Sequence, residues 1–285
     1  MSILTFFFVL LSAFLHASWN VAGKKIAHIT TIPWYGFILS GLLLSPVFLI
    51  QPVQINNVSM VVFCLLLSTL IHVIYILSLF KAYEKWDVSV VYPIVRSTGV
   101  MICAIASIWF FKEKLSLLGL SGIGLIILGI IIKALLRLNK GNSLNIDSQT
   151  IPSAIFVGLC VGSYLIVDRT AIQYIQPIHY IVLLNLLMGL TLTPYFILKK
   201  PDLCIEALKH YKKYIGIIGF SAAGSYLLIL WVFSYSIFGY VASLRELSIL
   251  FALSLGYLFL KEKINKQQLI SISCLIIGAI LIKLG

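Results

Sequence analysis

Charged side chains are scarce in this chain: Asp, Glu, Lys and Arg make up 11% of its 285 residues. A soluble domain carries about a quarter, so there is too little polar side chain here to cover a water-facing surface. The five cysteines are an odd number, have no CxxC spacing, and four of them lie inside apolar runs. They read as small hydrophobes, which excludes a disulfide framework or a zinc site. Glycine-rich phosphate loops, HExxH and GxSxG are all missing, so no nucleotide, metal or serine chemistry is implied and no cofactor is expected. Alternating strands of the outer-membrane barrel kind are missing too.

What the chain has is apolar length. It is 61% hydrophobic, with a mean hydropathy of +1.07. Runs of about 20 apolar residues, enough to cross some 30 Å of hydrocarbon, fill nearly all of it. The first five are Ser2–Ala22, Ile32–Ile50, Val58–Phe80, Val88–Phe111 and Ser116–Leu136. The opening run lacks a basic flank and is long enough for a full span, so it is read as a transmembrane helix and not as a signal peptide. After a polar linker, the second five are Ile151–Val167, Ile178–Leu198, Tyr214–Phe238, Tyr240–Leu260 and Gln267–Leu284. The break near Gly239 is the least marked of these boundaries.

The two sets of five are copies. At a constant offset of 149, Arg96 falls on Arg245, Phe110 on Phe259, Lys112-Glu113-Lys114 on Lys261-Glu262-Lys263, and Gly129 on Gly278. The expected organisation is residues 1–138 as a first repeat, 139–150 as a linker and 151–285 as a second repeat. An odd number of spans per copy sends the second copy through the membrane in the opposite sense. The fold class is therefore an all-α polytopic membrane protein of ten helices in two inverted five-helix repeats.

Orientation follows from the cations. The net charge is +12, but the basic residues form no patch with interleaved aromatics, so nucleic acid is not an expected partner. They sit in the connectors: fifteen Lys and Arg follow the first, third, fifth, seventh and ninth spans, against four on the opposite face. The richest connector is Lys199–Lys213. Positive charge stays on the cytoplasmic side, which predicts a multi-pass protein of the inner membrane with both termini outside.

Four stretches in order carry a resemblance: HASWNVAGKK (16–25), SVVYPIVRSTG (89–99), SYLIVDRTAI (163–172), and ASLRELSILFA (242–252) followed by FLKEK. Over essentially its whole length the chain resembles the EamA-type branch of the drug/metabolite transporter superfamily. The resemblance implies ten helices around a central cavity and transport of amino acids, related metabolites, drugs or nucleotide sugars. It fixes neither a substrate nor a set of binding residues. Structurally known relatives generally keep their termini in the cytosol, opposite to what the cation count predicts here.

Candidate site residues are polar groups stranded in apolar spans. Arg96 lies roughly 13 Å into its span and Arg245 roughly 9 Å into its own, entering from opposite faces. A buried guanidinium costs at least about 2.5–3.5 kcal/mol and needs a partner or a wet cavity. An anionic substrate group would supply one; structural ion pairing is the other reading. Glu246 reads either as part of a capping box with Ser243 as N-cap or as a proton-coupling carboxylate. His16 and Asn20, with Ser12 and Gly23, form a polar stripe on the first span, and Trp19 lies alongside. Ser68, His72 and Tyr75 repeat the pattern on the third. Tyr92, Tyr164 and Trp231 complete the expected substrate-binding set. His16 and His72 are further proton-coupling candidates. Ser68 and Ser225 read as hydrogen-bonding glue between helices. Asp168 and Arg169 read as an interfacial ion pair, and the two Lys-Glu-Lys runs as helix-end anchors in water.

The leading expectation is a secondary transporter, not an enzyme, for a small amino-acid-like molecule or organic anion. Its cycle would rock one half against the other, driven by protons or exchange. The expected partners are that solute and the lipid bilayer, with the chain as a monomer or homodimer. A membrane-embedded enzyme on lipid-linked substrates, or a non-transporting membrane subunit, is the alternative.

Overall fold

The computed structural model describes residues 1–24, 26, 29–138, 147–260 and 268–285. Its elements are α1 (Ile3–Lys24), α2 (Ile32–Leu44), α3 (Val47–Ile50), α4 (Val58–Lys85), α5 (Val88–Trp109), α6 (Leu117–Leu138), α7 (Thr150–Ala171), α8 (Pro177–Lys199), α9 (Pro201–His210), α10 (Lys212–Phe233), α11 (Phe238–Leu244), a 3-10 turn (Arg245–Leu247), α12 (Ser248–Leu260) and α13 (Gln268–Leu284). Among the described residues there is no strand, only a bridge between Ile55 and Ile175. Eight segments are long and apolar enough to span a bilayer, and Leu117–Ile132 and Leu269–Leu284 are shorter apolar helices. Together they form the ten expected crossings. Ser45 and Pro46 separate α2 from α3 within the second crossing, and the 3-10 turn joins α11 to α12 within the ninth.

In hydrocarbon every backbone polar group must be satisfied within the chain, which leaves helices as the only route across for such a sequence. The outer faces are correspondingly apolar: Leu49, Leu117 and Leu198 are 91%, 85% and 77% exposed, which in a bilayer means lipid-facing. Inside, lipid offers no hydrophobic drive to bring helices together, so small residues that allow close approach decide the packing.

That packing obeys the exchange of the two halves. The helices correspond as α1 with α7, α2 with α8, α4 with α10, α5 with α11–α12, and α6 with α13. Under this exchange each main contact between halves has its mate: α5 on α7 maps to α12 on α1, α1 on α10 to α7 on α4, and α2 on α10 to α8 on α4. The contacts α6 with α13, α2 with α8 and α5 with α11 map onto themselves. At the α6–α13 seam the mapping reaches single atoms. A Cβ on Gly122 would lie 2.6 Å from the Gly278 carbonyl oxygen, and one on Gly129 would lie 3.0 Å from that of Ser271. At the offset of 149, Gly122 becomes Ser271 and Gly129 becomes Gly278, so one contact is the image of the other. Ser271 Oγ donates to the Gly129 carbonyl at 2.6 Å.

Loops clasp the halves on both faces. On the face of the termini, Asn56 N–H donates to Tyr174 O at 3.0 Å beside the Ile55–Ile175 bridge. On the opposite face, Thr31 Oγ1 donates to Leu203 O at 3.0 Å and Tyr35 Oη to Cys204 O at 3.2 Å.

The structure adds one element and corrects two expectations. The Lys199–Lys213 connector contains a helix, α9, which buries Cys204 and Ala207 and leaves Pro201, Asp202 and Lys209 exposed. Their spacing suits a helix lying along the membrane surface. The eighth and ninth spans part at Ser234–Ile237, not at Gly239, which sits inside α11 packed against Ser107. Glu113 is not an anchor in water. Lys112 takes a left-handed conformation (φ 55°), turning the chain so that the Glu113 carboxylate accepts the Phe238 N–H at 2.9 Å and a hydrogen bond from Ser107 Oγ. It thereby satisfies an orphan donor where α11 begins. The matching run Lys261-Glu262-Lys263, Lys25 of the first motif and linker residues 139–146 lie outside the described residues.

Candidate functional site

The two intramembrane arginines meet near the middle of the bundle. Arg96 lies eight residues into α5 and Arg245 seven residues beyond the start of α11, about 12 Å and 10 Å along their helices. The 3-10 turn opens at Arg245. Such a tightening inside a helix is a common mark of a hinge, and discontinuous helices are how transporters expose polar groups at midplane.

The arginines differ in their partners. Arg96 donates from Nε to Glu246 at 2.8 Å, with Nη2 2.5 Å from the other carboxylate oxygen. One charge-assisted hydrogen bond and a second close ion-pair contact thus hold the two groups together. The capping-box reading of Ser243 and Glu246 is therefore corrected. Ser243 Oγ donates back to Gly239 O at 2.7 Å, and Glu246 crosses to the other half because a buried cation there needs it more than a helix end does. Arg245 has no carboxylate against it among the described residues. Its Nη2 lies 3.3 Å from His16 Nδ1, its guanidinium sits over the Tyr226 ring at 5.4 Å, and its Nε, though buried, has no hydrogen-bond partner among the described residues. Between the two arginines is a cavity of about 10 Å³ lined by both, by Glu246 and by Gly99, Val100, Cys103 and Ala242 among others. That is space for a single water.

His16 is held by donors. Trp19 Nε1 donates to its Nδ1 at 3.2 Å, and Arg245 approaches the same nitrogen. Indole and guanidinium have only donors to offer, so Nδ1 accepts and carries no proton in this arrangement. Asn20 Nδ2 donates to its own helix at His16 O, 2.6 Å. Ser12 and Ser225 exchange hydrogen bonds with each other's carbonyls at 2.8 Å and 2.9 Å, the interhelical glue expected of Ser225.

A second cluster lies nearer the face of the termini. His72 Nδ1 is 2.9 Å from Ser68 O, an acceptor only, so the imidazole donates there. Its ring stacks on Tyr164 at 3.9 Å, and Tyr75 lies 5.7 Å from Tyr164. Ser68 does more than bind helices: its hydroxyl donates to Asp168 Oδ1 at 2.5 Å. Asp168 is the hub of the cluster. Fully buried, it also accepts from Tyr180 at 2.5 Å and from Tyr226. The expected Asp168–Arg169 ion pair is thus corrected. Neighbours on a helix point about 100° apart, which turns Asp168 inward and leaves Arg169 over the Phe111 ring at 5.5 Å.

Of the expected site residues, the structure brings together Arg96, Arg245, His16, Trp19 and Glu246, with Tyr92 5.9 Å below the Arg96 guanidinium. His72, Tyr75 and Tyr164 join them through Tyr226 and its neighbours. Asn20 is half-buried at the edge. Trp231 is not brought in. It is 42% exposed, packs on Phe8 at 4.9 Å and lines an outer groove of about 480 Å³ with Gln51, Gln176 and Leu227. On α10 the inward face runs through Ser225, Ile229 and Val232, which leaves Trp231 facing lipid. Tyr180 and Tyr226 were not anticipated, and Asp168 was expected only in an ion pair with Arg169. The signal available for them was the four-residue spacing of Ser68 and His72, two polar groups on one apolar helix face that demanded partners.

A bundle of two inverted repeats, clasped at both faces around a polar centre, defines a membrane transport protein. The EamA-like transporter family model matches residues 3–134 and again 149–284, and the chain belongs to that family, within the drug/metabolite transporter superfamily. Comparison with curated proteins gives no match. One crystal structure, among 27 solved chains that match, covers 100% of this chain and 98% of its own length with a TM-score of 0.76 and 12% identity. At that identity the likeness shows the fold alone.

Proposed function

We propose that the chain is a secondary active transporter that carries a small organic anion or zwitterion across the cytoplasmic membrane by alternating access, driven by protons or exchange. The observation that carries this reading is Arg245. A buried guanidinium without a carboxylate partner among the described residues, its Nε unpartnered and the group lining a cavity between the halves, is costly in a bilayer unless an anion comes to it. His16, Trp19 and Tyr226 shape its surroundings, and Arg96–Glu246 is the structural ion pair beside it. The small cavity implies that the halves must part to admit a solute.

The test is uptake into proteoliposomes under an imposed pH gradient, using radiolabelled lactate, glutamate, threonine and glycerol 3-phosphate as probes. Arg245→Lys keeps the charge but loses the planar fork and should weaken uptake. Arg245→Gln should weaken it a further ten- to hundredfold, as loss of a contact worth about 1.5–3 kcal/mol requires. Uptake that survives Arg245→Gln unchanged would overturn the reading. We also propose, from the cation count, that the face bearing α9 is cytoplasmic. In a variant free of native cysteines, a cysteine at Lys209 should then be protected from an impermeant thiol reagent in intact cells while one at Gly285 reacts. The reverse pattern would invert the orientation.

A further inference from the structure

We propose that Asp168 carries the proton of the transport cycle and is charge-matched to Arg245, so that each negative charge arriving at Arg245 brings one proton onto Asp168. The inference rests on the anion reading of Arg245.

Among the described residues, four charged side chains are buried: Arg96, Asp168, Arg245 and Glu246. Their charges sum to zero. Arg96 and Glu246 cancel by contact. Arg245 and Asp168 do not touch; Tyr226 stands between them, its ring under the guanidinium at 5.4 Å and its hydroxyl donated to the Asp168 carboxylate. A monoanion bound at Arg245 would leave the interior with one uncompensated negative charge, and an unbalanced charge in a low-dielectric interior costs several kcal/mol. The acid free to relieve it is Asp168, because both oxygens of Glu246 are engaged by Arg96.

The surroundings of Asp168 suit both protonation forms. Its three partners, Ser68, Tyr180 and Tyr226, are all hydroxyls. A hydroxyl donates to a carboxylate and, turned about, accepts from a carboxylic acid. Backbone amides could not make that exchange. The titratable groups around it are His72 and Cys64 from α4, Tyr180 from α8, Tyr226 from α10 and Tyr164 from its own helix. The remaining neighbour of α7 is α5, whose Arg96 is already paired. Tyr and Cys bring no charge at neutral pH, and His72 donates from Nδ1 to Ser68 O, so no fixed cation sits against the carboxylate among the described residues. A proton from water binds a carboxylate oxygen as the anion arrives and returns to water as it leaves. Net movement of a monoanion is then electroneutral.

The test needs no substrate, since deleting the cation should do what an arriving anion does. Full-length protein in liposomes is examined by infrared spectroscopy at pH 7. Wild type and Arg245→Lys should lack the carbonyl stretch of a protonated buried carboxyl. Arg245→Gln should show it, and Arg245→Gln/Asp168→Asn should lose it again. If Arg245→Gln alone yields little folded protein, adding Asp168→Asn should restore yield and melting temperature, because it removes the orphaned charge. No Asp168-dependent band together with additive losses in the double variant would overturn the proposal, as would the same band in Arg96→Gln/Glu246→Gln. Failure here with uptake still lost in Arg245→Gln would remove the coupling and leave the anion site standing. Uptake surviving Arg245→Gln would remove the anion site whatever the spectra show.

Discussion

Arg96 and Arg245 occupy the same position in the two repeats, enter the membrane from opposite faces, and end with different partners. The residue after Arg245 is Glu246; the residue after Arg96 is Ser97. Glu246 reaches across to Arg96, while Ser97 turns back on its own helix, its Oγ 2.8 Å from the Pro93 carbonyl. One substitution between the copies therefore neutralises one cation and leaves the other open. Symmetry builds the frame, and the departure from symmetry sets apart the arginine proposed as the anion site.

The comparison can be broken most severely at Glu246. Glu246→Gln leaves Arg96 buried without a counter-charge and should cost about 3–5 kcal/mol, read as a large fall in melting temperature in detergent. Equal melting of Glu246→Gln and wild type would mean Arg96 has another partner. It can be sharpened at Ser97. The exchange of halves maps the Arg96–Glu246 contact onto Arg245 and residue 97, so Ser97→Glu places a carboxylate where Arg245 can take it. Uptake should fall ten- to hundredfold, as for loss of a charge-assisted contact of about 1.5–3 kcal/mol. Adding Arg245→Gln should lower it no further. A Ser97→Glu protein with full activity would show that Arg245 is not the open group.

Smaller effects test the frame itself. A Cβ on Gly278 would meet the Gly122 carbonyl oxygen at 2.7 Å, whereas the nearest atoms to one on Gly129 are at 3.0 Å. Gly278→Ala should cost roughly 1–3 kcal/mol by overpacking, and Gly129→Ala less, in the same melting assay. Least is expected of Glu113→Gln, which keeps one acceptor for the Phe238 N–H and should cost about 1 kcal/mol, as a weakened helix cap does.

The crossings, the duplication and the arginine pair were legible in the sequence because each is a one-dimensional pattern: apolar length, a fixed offset, a charge in the wrong solvent. Gly129 and Gly278, matched at that offset, turned out to serve the α6–α13 seam. The partners were not legible. Asp168 is surrounded by residues 68, 180 and 226, a set that only the docking of four helices assembles; read locally, its neighbour Arg169 was the obvious mate. Glu113 looked like an anchor because its role depends on Phe238, in the other half. The helix α9 was obscured by the lysines around it, although Cys204 and Ala207, three residues apart, marked the face it buries.

The seam between α6 and α13 has one more consequence. A contact that is its own image under exchange of halves could be made by two identical five-helix chains facing opposite ways. Such a chain would have to insert equally in both senses, and so could not afford a charge bias. Joining the copies end to end lifts that requirement. In this chain each half has taken a bias of its own: seven cations against two in the first, eight against two in the second. Each half therefore carries its own instruction for insertion, and the two instructions agree on which face of the membrane is which.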